Sequence, residues 1–246
     1  MKKENISFLL MIYGFLFVCF LVLPAFLNGY LWEPVSFSDG FDLFTPFVII
    51  PFVYILFKKI NVKEEGFDKP HKTIDRTKNI LMLFGIIFFI NGHGIHLSAN
   101  SIARYISHWE KTKVYRAAYV YDEIIGHFFW DLGVFIISLA MIAGAISKEE
   151  KPAQDNKKIY ALIGAPFYGF TFAVNGIEGQ TVIFTFPAAL LGAVLSFYLL
   201  FRKKELRSNI SVYHFFAVGY TISLILFLVW WMWQKGFPEF SELGWI

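Results

Sequence analysis

The chain has 246 residues, of which 57% are hydrophobic and 20% aromatic, and its mean hydropathy is +0.54. That is more apolar surface than a soluble domain of this size can cover. Charged residues make up 17% and net only +3, with no basic stripe, so no nucleic-acid partner is expected, and the lone Cys19 excludes an intramolecular disulfide.

Apolar runs bounded by charge predict an all-α, single-domain membrane protein. Its seven transmembrane helices lie near residues 6–27, 41–57, 79–98, 123–146, 159–177, 181–201 and 213–233. The first run is too long for a signal-peptide core and has no small-x-small cleavage site, so it reads as a span. The second contains Pro46 and Pro51, which predicts a kinked or tilted helix partly buried in protein. Between the third and fourth, Ile102, Tyr105, Ile106 and Trp109 recur at helical spacing opposite Arg104, Lys111 and Lys113. Residues 101–121 are therefore expected to form an amphipathic interfacial helix with aromatic anchors. The seventh run closes with the aromatic belt Trp230, Trp231 and Trp233.

Charge sets the expected orientation. With seven spans, 17 of the 22 Lys and Arg fall on the side of the N-terminus. The positive-inside rule then places the N-terminus in the cytoplasm and the C-terminus outside, in a multi-pass protein of the cytoplasmic membrane.

Polar residues gather at the outer ends of three consecutive spans. The third ends Asn91-Gly92-His93-Gly94-Ile95-His96, the fourth begins Asp122-Glu123-Ile124-Ile125-Gly126-His127 and continues to Asp131, and the fifth ends Asn175-Gly176-Ile177-Glu178. His93 and His96 share a helical face at i,i+3, and Glu123, His127 and Asp131 step by four along another. Ionisable groups at one depth in a bilayer are costly and mark function. Imidazoles with a carboxylate are a usual ligand set for a divalent metal ion, zinc foremost. The expected ligands are His93, His96, Glu123 and His127, and Glu178 and Asp131 are the expected catalytic carboxylates. Asp122 fits solvation at the interface, and Asp39 and Asp42 fit helix N-capping. His71 and His214 lie at the opposite, inner side.

His96 followed by Asp122-Glu123 resembles part of the motif of ceramidases and adiponectin-receptor-like proteins, seven-helix zinc hydrolases. No Ser stands four residues before either His93 or His96, and the seventh span has only His214 where that family has paired histidines. The resemblance is thus confined to the third and fourth spans and implies zinc hydrolysis in a seven-helix frame.

These observations imply a metal-dependent membrane hydrolase acting on a lipid-like or amphiphilic substrate. Two other expectations use the same residues: a cation- or proton-coupled transporter, and a haem protein with two axial histidines.

Overall fold

The computed structural model describes residues 6–61, 72–146, 158–201 and 210–245. His71 and most of the basic loop residues behind the expected orientation lie outside them. The fold is all-α: α1 (Ile6–Leu21), α2 (Phe37–Ile60), α3 (Lys72–Tyr105), α4 (Lys113–Tyr119), α5 (His127–Gly144), α6 (Ile159–Glu178), α7 (Val182–Phe201) and α8 (Ile210–Gln234). A short antiparallel hairpin, β1 (Tyr30–Trp32) and β2 (Val35–Ser36), precedes α2.

Among the described residues, six helical stretches are long and apolar enough to cross a membrane: Ile6–Phe26, Phe37–Ile60, Asp75–Tyr105, Lys113–Gly144, Val182–Phe201 and Ile210–Gln234. Their outward faces remain apolar, with Phe47, Ile183 and Phe201 72%, 90% and 84% exposed. Such faces on helices of this length and hydropathy suit a lipid surround. This is the make-up of an integral membrane protein. α6 is also 20 residues long, but Tyr160, Tyr168, Thr171 and Asn175 dilute its apolar character. Three of these, Tyr168, Thr171 and Asn175, are buried.

Small residues let the helices approach at backbone distance, as expected where dispersion and not water drives association. A Cβ at Gly14 of α1 would sit 2.1 Å from the Gly164 carbonyl oxygen of α6, and one at Gly169 of α6 would sit 2.1 Å from that of Gly219 in α8. The core between them is aromatic, with Tyr13, Tyr168, Tyr213 and Tyr220 fully buried. The Tyr168 hydroxyl satisfies itself against Ser138 at 2.7 Å and Tyr220 at 3.1 Å.

Between the third and fourth predicted spans the structure departs from expectation. The single interfacial helix over 101–121 is not formed. α3 continues to Tyr105, the chain turns through a short 3-10 segment at Ser107–Trp109, and α4 starts afresh with Thr112 capping the Tyr115 amide. α3 lacks a breaker after Ser98, and its extension is pinned. Arg104 makes a two-pronged ion pair with Asp39 at 2.9 and 3.1 Å, and Ser101 donates to the same carboxylate at 3.0 Å. Asp39 itself closes a capping box with Ser36 at the start of α2. α2 accordingly begins at Phe37, earlier than the predicted 41.

Candidate metal centre

The site is built on the seam between α3 and α5. Gly85 and Gly92 of α3 face Gly133 of α5 and Gly126 just before it, and a Cβ at Gly92 would lie 2.2 Å from the Trp130 amide nitrogen. One turn beyond Gly92 stands His96, whose backbone nitrogen lies 2.9 Å from where a Cβ on Gly126 would be. The two helices can therefore face their histidines toward each other without a gap.

A π-helical turn over Val120–Gly126 leads into α5. Because such a turn closes at i→i+5, it brings Asp122 onto the face of His127, where a regular α-helix would turn it away. π turns recur at functional sites for this kind of reason. One ligand atom from each of His96, Asp122 and His127 lies within 4.8 Å of the others. A bound ion needs donors roughly 3–4 Å apart, a contraction of about 1 Å.

The Nδ1–H of His96 donates to Asp122 Oδ1 at 2.6 Å. That bond fixes the tautomer and leaves the Nε2 lone pair as the coordinating position, the arrangement by which carboxylates orient metal-binding histidines. The rings of His96 and His127 meet edge to face with centroids 4.4 Å apart, and both pack against Trp130. Rings in edge contact leave no slot for a macrocycle between them. Glu123 Oε2 lies 3.6 Å from His127 Nε2. Neither Glu123 Oε2 nor His127 Nδ1 has a hydrogen-bond partner among the described residues, though both atoms are buried. Orphaned buried polar atoms of this kind call for a ligand, and two imidazoles with a carboxylate suit a divalent ion with an open position.

His93, an expected ligand, is engaged differently. It lies deep and 1% exposed, its ring over Phe89 and edge-on to Trp130. Its Nε2–H donates to the Asp42 carbonyl at 2.8 Å. That carbonyl is free because the residue four on is Pro46, which has no N–H to offer it. The neutral ring then presents a bare Nδ1, buried and without a partner among the described residues.

The remaining expected residues go to other partners. Asp131 accepts from the Thr181 hydroxyl at the start of α7. Glu178 accepts from the backbone of the C-terminal segment, Phe240 N at 2.6 Å and Ser241 N at 3.4 Å. That segment folds back over the α6 and α8 ends. Gln180 donates to the Phe237 carbonyl, Trp230 to that of Pro238, and Tyr119 to Glu239. Glu239 is buried beside Glu178 and Glu242, and burial first, then those charges, raises its carboxyl above the usual range. His214, at the far end of α8, bonds the Ile210 carbonyl.

The structure thus groups His96 and His127 with Asp122, sets Glu123 beside His127, and ties His93 of α3 to the Asp42 carbonyl of α2, outside that group. Asp122 is the residue that counting by four passes over, and only the π turn brings it in. Trp130, the common floor of the three imidazoles, sits one turn before Val134 on an apolar face and gave no polar signal.

No protein-family model matches this chain, and no curated protein or solved structure does either.

Proposed function

We propose that this protein is a metal-dependent membrane hydrolase of seven spans, α6 being the additional one. Its N-terminus is cytoplasmic and its His–carboxylate centre lies near the outer leaflet. The observation that supports it best is the convergence of His96, Asp122 and His127 at a π turn, beside the orphaned Glu123 oxygen. His96, His127 and Asp122 would hold the ion, and His93 shares their Trp130 wall without joining the group. A divalent ion such as zinc, when bound, supplies a Lewis acid to a water and to a substrate carbonyl.

The chain's own residues do the rest. Asp122 keeps the His96 ring in one tautomer and one orientation. Glu123, buried beside His127, accepts a proton from the attacking water and returns it to the leaving group. Trp130 and the α3–α5 seam exclude bulk water from the centre. Glu178 acts at a distance, by anchoring the C-terminal segment over this end of the bundle.

The reading is tested with protein in liposomes containing long-chain esters and amides, treated with a chelator and then resupplied with zinc. Hydrolysis lost on chelation and restored by zinc supports it. Metal-dependent ion flux without hydrolysis overturns it in favour of a carrier.

A further inference from the structure

A cleft of 720 Å³ runs along the outward face of α3 beside α4, and Ile87, Asn91, Gly94, Ser98, Ala118 and Tyr121 are among its walls. We infer that it holds one acyl chain of a bilayer lipid and sets that lipid's ester or amide linkage at the level of the metal centre. This rests on the hydrolase reading for the reaction but not for the binding.

Three observations favour this occupant. The cleft opens on the side of α3 where Leu83, Ile87 and Ile90 are 57%, 48% and 45% exposed, the face that meets lipid tails. From Ile87 to Ile102 the helix advances about 22 Å, which covers one leaflet's hydrocarbon and reaches the headgroup zone. Its far wall ends at Tyr121, the neighbour of Asp122, and its floor includes Ile95, the neighbour of His96. A chain lying in the cleft therefore has its polar end at the same level along α3 as His96 and its partner Asp122, on an adjoining face of the helix.

Polarity inside the cleft points the same way. Asn91 is exposed on this lipid-facing side and makes no hydrogen bond among the described residues. An amide left bare in hydrocarbon is costly, whereas one facing a carbonyl or hydroxyl of an amphiphile is satisfied. Gly94 forms open floor: a Cβ there would meet nothing within 4 Å. A second copy of the chain would also suit a stripe of small residues, and the cross-linking arm of the test separates it from a lipid.

The test uses full-length protein in nanodiscs containing a phosphatidylcholine with a photoactivatable diazirine on its acyl chain. Label is expected to concentrate on residues 87–102. In Gly94→Leu, which fills open floor, and in Ala118→Phe, which narrows the opposite wall, it should fall roughly tenfold, as expected for displacing about two buried methylenes. Label spread evenly over α3 and α7, and unchanged in both variants, overturns the inference. So does efficient disulfide dimerisation of Ser98→Cys in native membranes, which would assign the cleft to a second copy. Metal content of the wild-type protein is measured in the same preparation. Its absence would sink the hydrolase reading while leaving the labelling pattern to decide the lipid site.

Discussion

Gly92→Ala is expected to open the metal centre, although the residue coordinates nothing. A Cβ at this position would sit 2.2 Å from the Trp130 amide nitrogen and 2.7 Å from the Gly126 carbonyl oxygen, where ordinary contact begins near 3.4 Å. Both obstacles are backbone, so α3 and α5 must part by about 1 Å. Overpacking of this kind costs about 1–3 kcal/mol, against about 1 kcal/mol gained by replacing a helical glycine with alanine. The net loss should be about 0–2 kcal/mol. The separation also exceeds the ±0.2 Å or so that coordination distances tolerate, so metal affinity should fall roughly 10–100-fold. Gly94→Ala is the internal control. It lies two residues along the same helix, where a Cβ meets nothing within 4 Å, and it should match or exceed wild-type stability with full metal content. Thermal unfolding in detergent and equilibrium zinc binding are read for both variants. A Gly92→Ala protein that is as stable as wild type and binds zinc as tightly would refute the backbone-contact seam as the element that positions the site.

Other consequences are equally specific. Arg104→Ala should destabilise the fold by about 2 kcal/mol, because it strips two charge-assisted bonds from the buried Asp39 carboxylate and frees the α3 extension, as read by unfolding and by proteolysis near Ile106. The docked C-terminal segment should be pH-sensitive in a defined sense. Glu239 has a folded pKa above its unfolded value, so the native state holds the extra proton between the two, and docking weakens as pH rises through that window. Protection of the tail from protease should therefore be greater near pH 4.5 than at pH 8, and Glu239→Gln should abolish the difference. Reporters fused after Lys151 and after Gly179 should read cytoplasmic and external respectively, and the reverse would invert the side on which the centre lies.

Much of the frame was legible in the sequence, because a span announces itself by length and hydropathy alone. The runs at 181–201 and 213–233 differ from α7 and α8 by three residues or fewer at each end. α6 starts where its run was drawn, although tyrosines and Asn175 dilute it. The segment after Ser98 was less legible. Its amphipathic pattern is real, but the Arg104–Asp39 pair that extends α3 joins residues 65 apart and has no local signature. At the site, residue types and their common end of the bundle could be read from spacing. The grouping could not, because counting by 3.6 assumes an unbroken α-helix and the turn at Val120–Gly126 is not one. That change of pitch promotes Asp122 over Glu123 as the partner of His96. His93 shows a second limit. Pro46 was visible as a helix irregularity, but the free Asp42 carbonyl it leaves, and the imidazole that takes it, meet only in the folded chain.

The metal centre is tested most sharply by elemental analysis of untagged protein purified in mild detergent, wild type beside His96→Ala/His127→Ala and His214→Ala. About one divalent ion per chain is expected in wild type and in His214→Ala, and almost none in the double variant, with all three proteins inserted and monodisperse. Wild-type protein without stoichiometric metal, or a double variant that retains it, would contradict the metal centre.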